Sequence, residues 1–353
     1  MKRLRGLAIV AAALAAICGT LYAYLTIRPA PAVPTVSGRV PRFSHVFLIV
    51  MENHSISALS PGDSPYIHQL VDRYGYDSQY FGVTHVSLPN YLALLSGTTH
   101  GTHSDNPDQS FQGPTLAGQM NQRHISWQGV MQSLPWPGYR GNWYPEPRGT
   151  NPTAMPKNAL YAKKHDPFML FSAIARHSAN HVVPLTTLTK ELRQGTVPEF
   201  VWITPNLCDD MHGQPRGSQA CPANDPTRLE KMGNHFLATI VPEIMHSPSW
   251  TQNSVIFITW DEAETPTGIF HLRAWKKWLM AGPQSPQILG VPVGGGSVPL
   301  IAITHGMTKP RHLALWADHY NLLKTIEAGF RLPYLGHART SQVRLLTPLV
   351  QAP

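Results

Sequence analysis

Four apolar runs in this sequence end in polar residues able to hold a cation or move a proton: Glu52-Asn53, Asn206 with Asp209-Asp210, Asp261-Glu262, and His305. One acidic strand end is usually a helix cap or a loop residue. Four at corresponding places imply one site, because co-directional strands of an α/β sheet bind ligands beyond their carboxyl ends. Carboxylate and amide oxygens are hard donors, so Glu52, Asn53 and Asp261 suit a divalent metal ion. Ser87 lies where the strand-like stretch YDSQYFGVTHV gives way to a helical one, with Pro89 in the first turn. A serine there makes a good helix cap. It also suits a nucleophile, since the helix N-terminus offers N–H groups to an anion and a metal can lower the hydroxyl's pKa. Ser87 could then join the metal as an oxygen ligand. Spacing alone leaves both readings open.

The elements that must carry these residues alternate in type. HVFLIVMEN (His45–Asn53), EFVWITPNLCDD (Glu199–Asp210), SVIFITWDEAE (Ser254–Glu264) and VPLIAITHG read as strands. PYIHQLVDRYG, PNYLALLSG, KMGNHFLATIVPEIMHS and HYNLLKTIEAGF read as helices, the first two stopped by Gly75 and Gly97. This order predicts an α/β fold with a mainly parallel central sheet and helices on both faces. The stretch from Ser133 to His165, rich in Pro, Trp, Tyr and Gly, reads as a long functional loop.

The 353 residues suffice for one large domain, and 42% hydrophobic against 14% charged residues excludes a disordered chain. The net charge of +8 favours anionic partners such as phosphate esters or acidic lipid surfaces. No basic run or aromatic–basic repeat suggests a nucleic-acid groove. Lys2, Arg3 and Arg5 precede an uncharged stretch of 22 residues, Gly6 to Ile27, long enough to span a bilayer. Residues 1–27 are therefore expected to be a signal anchor, or else a cleaved signal peptide. Residues 28–41 read as a Pro-rich linker and 42–353 as the catalytic domain. Either outcome exports the domain, as a membrane-anchored form facing the periplasm or cell exterior, or as a secreted one. With Cys18 in the targeting segment, Cys208 and Cys221 remain as an even pair in an oxidising compartment. A disulfide closing that loop would stabilise the fold by about 3 kcal/mol.

From about residue 43 to residue 340 the chain resembles the phosphoesterase family of bacterial and fungal acid phosphatases and phospholipases C. That family belongs to the alkaline-phosphatase-like superfamily. The stretches that carry the resemblance are HVFLIVMEN, YFGVTHVSLPNYLALLSGTTHGTHSDN, YAKKHDPF, FVWITPNLCDDMHG, VIFITWDEAE and HYNLLKTIEAGFRLPYLGHA. The resemblance implies an alkaline-phosphatase-like fold and a divalent metal held by Glu52, Asn53, Ser87, Asp261 and Glu262. It puts Ser87 of SLPN in the nucleophile position, similar to the threonine of the TFPN motif in nucleotide pyrophosphatases. It implies that Asn106 holds a phosphoryl oxygen, and that Lys164 and His165 contact the phosphate. His319, Asp209, Asp210 and His212 fall on further polar site positions, with His212 or His319 able to protonate the leaving alkoxide.

The expected activity is hydrolysis of phosphate monoesters, of acid-phosphatase type, through a phosphoserine. A phospholipase C-type phosphodiesterase and an inactive binding protein on the same scaffold are the alternatives. The chain also departs from the family pattern. Asp318 stands where a threonine is usual, His305 follows VPLI in place of a glycine–proline–glycine turn, and GIFHLRAWKKWLMAGPQSPQILGVPVGGG is longer than the usual connection. Its Trp275, Lys276, Lys277 and Trp278 fit a lid, a lipid-contacting surface or a plain insertion.

Overall fold

The computed structural model describes residues 38–145, 153–266, 272–288 and 291–351. The expected signal or anchor, and residues 28–37 of the linker, lie outside the described residues. Among the described residues, no helix is long and apolar enough to cross a membrane.

Eight strands form one sheet: β1 (Val46–Met51), β2 (Gly75–Asp77), β3 (Trp127–Met131), β4 (Val182–Pro184), β5 (Phe200–Thr204), β6 (Val255–Trp260), β7 (Leu300–Thr304) and β8 (Arg311–Leu313). Their spatial order is β8-β2-β7-β6-β1-β5-β3-β4. All run parallel except β7, which is antiparallel to both β2 and β6. Every residue of VFLIVM in β1 and VIFITW in β6 is buried. Since successive side chains point to opposite faces, both faces of the sheet are covered, the condition under which a strand reads as an unbroken apolar run.

The main helices are α1 (Pro65–Arg73), α2 (Ser87–Ser96), α3 (Pro226–Met245), α4 (Leu272–Trp278) and α5 (His319–Gly329). α1 packs on α3, and α2 packs on α5. α2 stops at Gly97, whose φ of 74° is left-handed; a Cβ there would meet the Leu335 carbonyl at 2.6 Å. Asp318, the departure from the family threonine, accepts the Tyr320 N–H and caps α5.

Three expectations need correction. β7 runs against its neighbours, so His305 lies at the amino-terminal edge of the parallel strands, where its N–H donates to the Ser254 carbonyl before β6. His305 is therefore remote from the other three polar strand ends. The run from Glu199 is a strand only to Thr204, because Pro205 follows and Asn206 Oδ1 then accepts the Cys208 and Asp209 N–H groups in a tight turn. The stretch before Ser87 is not one strand. It is β2 followed by a two-residue strand, Tyr80–Phe81, that pairs with Ala317–Asp318.

The disulfide between Cys208 and Cys221 is formed, with Cα atoms 5.4 Å apart. It closes the loop that carries Asp210 and His212. Replacing both cysteines by serine is expected to remove about 3 kcal/mol of stability. Thermal denaturation of the double variant beside the oxidised protein checks this, and an unchanged Tm would refute it.

Candidate active site

Three adjacent strands deliver the site. β1 lies between β5 and β6, and Met51 pairs with Trp260, so Glu52 and Asp261 leave the sheet side by side. The loop after β5 brings Asp210 beside them, its carbonyl accepting the Glu52 N–H at 2.8 Å. Asn53 turns away with a φ of 52°, its N–H donating to Asp261 Oδ1 at 3.1 Å and its side-chain amide to Glu52 Oε2 at 3.2 Å.

Ser87 is the first residue of α2. The N-cap is Val86, in extended conformation, whose side chain makes no capping hydrogen bond. The Ser87 hydroxyl instead faces the strand ends, 3.0 Å from Glu52 Oε2 and 3.2 Å from Glu262 Oε1, with the residue only 2% exposed. Capping therefore does not account for this serine. The helix N-terminus is served from outside, by Asp105 Oδ1 accepting the Leu88 N–H at 3.0 Å.

A second group of donors meets the other oxygen of Glu52. His165 Nδ1–H donates to Asp210 Oδ2 at 3.1 Å, leaving its Nε2 lone pair 3.1 Å from Glu52 Oε1 without hydrogen-bond geometry. His212 Nδ1 lies 2.7 Å from the Gly213 carbonyl, an acceptor only, so Nδ1 carries the proton and Nε2 the lone pair. The ligand atoms of Glu52, His165 and His212 lie within 4.8 Å of one another. Each histidine thus has its second nitrogen fixed by a carboxylate or carbonyl, the usual support of a metal-bound imidazole.

Charge in the site is unbalanced. Burial holds the Glu52 carboxyl well above the usual range, and the nearby Asp261 and Asp210 charges push it further. Burial likewise raises Asp210, and burial with the Glu262 charge raises Asp261. Burial and the Lys164 charge hold His165 well below its ordinary value and bring His212 down to about 3. Lys164 is buried as well, but the Asp105 and Glu52 carboxylates outweigh the cost and keep it charged, its Nζ 2.6 Å from Asp105 Oδ2 and 3.1 Å from His212 Nε2. Glu52 Oε1, Asp261 Oδ2 and His165 Nε2 are buried without a hydrogen-bond partner. Crowded carboxylates, neutral imidazoles and unpartnered ligand atoms are the donor set a divalent cation requires, so the residues fit a metal.

The structure brings Glu52, Asn53, Ser87, Asp261 and Glu262 together, with Lys164, His165 and His212 on the far side of Glu52. Three residues expected in the site are committed to other contacts. Asn106 is exposed, and its Oδ1 accepts the Asp108 N–H at 2.9 Å in a local turn. Its neighbour Asp105 makes the contacts to α2 and Lys164. His319 is fully buried, with Nε2 donating to the Asp261 carbonyl at 2.6 Å and Nδ1 accepting from the Tyr80 hydroxyl at 2.9 Å. Burial lowers its pKa to about 4, so it orients the Asp261 backbone and has no nitrogen left to protonate a leaving group. Asp209 points away from Ser87, accepting from Gln132 Nε2 at 2.6 Å. Sequence reasoning missed Asp105 and Tyr91. Tyr91 stacks on His165 with centroids 5.3 Å apart, and its spacing of four from Ser87, on the same helix face, was the available signal.

A mostly parallel sheet with one reversed strand, and an acidic edge facing a helix-borne serine, make up a fold shared with solved structures of the alkaline phosphatase superfamily. A protein of that superfamily from Vibrio parahaemolyticus shares the fold with a TM-score of 0.52, over 87% of this chain and 72% of its own, at 12% identity. A putative sulfatase from Bacteroides thetaiotaomicron gives 0.51, over 88% and 74%, at 13% identity. The chain belongs to the Phosphoesterase family, which it matches over residues 45–333. It is 25% identical over 270 residues to the phosphate-repressible acid phosphatase of Penicillium chrysogenum, covering 73% of this chain but only 52% of that protein. It is 28% identical over 330 residues to the phosphatidylinositol-3-phosphatase of Mycobacterium tuberculosis, covering 92% and 90%. The chain thus spans about half the length of the fungal relative.

Proposed function

We propose that the chain hydrolyses phosphate monoesters in two steps, with Ser87 as nucleophile and a phosphoserine between them. The observation that carries this is the buried Ser87 hydroxyl, free of any capping duty and hydrogen-bonded to Glu52 and Glu262. Glu52, Asn53, Ser87, Asp261 and Glu262 would hold a divalent ion, with His165 and His212 beside the second Glu52 oxygen. When bound, that ion supplies Lewis acidity, favouring the serine alkoxide and withdrawing charge from the phosphoryl oxygens. The Ser87 hydroxyl gives up its proton to an adjoining carboxylate. Oγ then forms the bond to phosphorus as the bond to the alcohol oxygen breaks. Lys164, a charged group at the site, stabilises charge on the phosphoryl oxygens. Neutral His212 carries only a lone pair on Nε2, so the proton for the departing oxygen would come from the Lys164 ammonium, 3.1 Å from that nitrogen. Water then attacks the phosphoserine, returning the hydroxyl and releasing phosphate.

Relatives named acid phosphatase and phosphatidylinositol-3-phosphatase support the monoester class. The disulfide supports export, for which residues 6–27 would be the signal or anchor. The intact serine and carboxylates speak against an inactive binding protein. A panel of p-nitrophenyl phosphate, its bis ester and phosphatidylcholine tests the substrate class. The expected kcat/KM is higher for the monoester than for either diester. A ratio below unity for either one moves the reading to a phospholipase C-type enzyme.

A further inference from the structure

One chain of contacts reaches the nucleophile from an element that the reaction does not itself need. His85 stands two residues before Ser87, with its side chain 10% exposed. Its Nδ1 meets Glu262 Oε2, and the other oxygen of that carboxylate accepts from the Ser87 hydroxyl. Its Nε2 lies 2.9 Å from the Trp278 carbonyl, which can only accept, so Nε2 carries a proton and donates. The imidazole also stacks on the Trp278 indole, with centroids 3.9 Å apart and planes 10° from parallel. Both ring nitrogens and one ring face are therefore committed inside the protein.

The end of α4 that grips His85 is itself fixed. Gly294-Gly295-Gly296 threads between the chain before His85 and the chain after Glu262. Gly295 N–H donates to the Gly82 carbonyl at 2.9 Å, Gly82 N–H to Gly296 at 3.0 Å, and Ala263 N–H to Gly295 at 2.8 Å. Gly296 N–H in turn donates to the Met280 carbonyl, just past α4, at 3.0 Å. A Cβ on Gly295 would lie 2.5 Å from the Thr84 carbonyl, and one on Gly82 would lie 2.7 Å from that of Asp261. Only glycine permits so close a backbone approach. The long aromatic–basic insertion is thus bonded into the site at its base.

We propose that His85 is a positioning residue for the Ser87 reaction, aiming the Glu262 carboxylate at the nucleophile, and that Trp278 holds His85 in place. The inference rests on the reading of Ser87 as nucleophile. Without His85, Glu262 Oε2 loses its partner and the carboxylate is free to turn, and displacement of a reacting group by an ångström costs about 100-fold in rate. His85 has no donor or acceptor left for substrate, so the effect falls on kcat rather than KM.

The test compares wild type, Ser87→Ala, His85→Ala, Trp278→Leu and the His85→Ala/Trp278→Leu pair on p-nitrophenyl phosphate, with Tm recorded for each. His85→Ala is expected to lower kcat by about 10- to 100-fold with KM nearly unchanged. Added imidazole should fill the slot between Glu262 and the Trp278 indole and restore kcat saturably. It should restore nothing in Ser87→Ala, and little once Trp278 is also replaced. Trp278→Leu alone should lower kcat in the same direction by less. Should His85→Ala fail to fold, Trp278→Leu decides by the same split between kcat and KM. A wild-type kcat in the folded variant, a loss carried by KM, or a loss that imidazole leaves untouched overturns the inference while the proposed function stands. An inert wild type or an active Ser87→Ala would remove that function, and the inference with it.

Discussion

Ser87→Ala is expected to lower kcat by roughly 1,000-fold or more, because among the described residues no other hydroxyl shares its position between Glu52 and Glu262. The helix should survive. Val86 is the N-cap and Ser87 caps nothing, so even the usual cost of about 1 kcal/mol for a lost cap does not apply. What the fold loses is a donor to Glu52 and Glu262, two carboxylates that then face each other unmediated. A modest fall in Tm is therefore compatible with the assignment, and unfolding is not expected. Rapid acid quench of the wild type during turnover should trap one phosphoryl group on the peptide containing Ser87. Near-wild-type kcat in the alanine variant, or the phosphoryl group on another residue, would sink the nucleophile assignment.

The parts of the site that could be read in the sequence are those encoded by local runs. β1 and β6 are buried on both faces, so VFLIVM and VIFITW stand out, and the polar residues that end them fall at the sheet edge. Parallel neighbours then put Glu52 beside Asp261 without further information. β7 shows the limit of that logic. LIAIT is as apolar as the parallel strands, and a run buried on both faces looks the same in either direction, so the reversal that removes His305 from the site left no local trace. WQGVM in β3 carries glutamine and glycine at buried positions and shows no clear period. Contacts between distant segments were harder still. Glu52, His165 and His212 meet from three separate stretches, and no spacing rule joins them. Neighbours in sequence can also part company. Asp105 turns toward Lys164 and α2, whereas Asn106 turns to solvent, a choice made by one residue's rotation in a loop.

Chelation is expected to abolish turnover and lower Tm, and restoring a divalent metal should recover both. The physical ground is the surplus of buried carboxylates. Glu52, Asp210 and Asp261 crowd together with Lys164 as the charged partner among their neighbours, and burial favours their protonated forms. A bound cation reverses that preference, and it stabilises the fold by about 2.7 kcal/mol when free metal stands at 100 times Kd. Asp261→Asn separates this from a purely structural role. Asparagine Oδ1 can still accept the Asn53 N–H that Asp261 accepts at 3.1 Å, so the turn after β1 keeps its bond. The substitution also removes one negative charge from a site that repels itself when empty of metal. Metal-free Asp261→Asn is therefore expected to be at least as stable as metal-free wild type. The rise in Tm on adding metal should shrink in the same variant, because a charged ligand has become a neutral one. The two changes have opposite signs, which a residue serving only to pack the strand end would not produce. Melting curves with and without chelator, with metal content fixed by elemental analysis, read both. Full activity in protein shown to be metal-free would refute the metal assignment. So would an Asp261→Asn variant that loses stability without metal yet keeps its whole response to it.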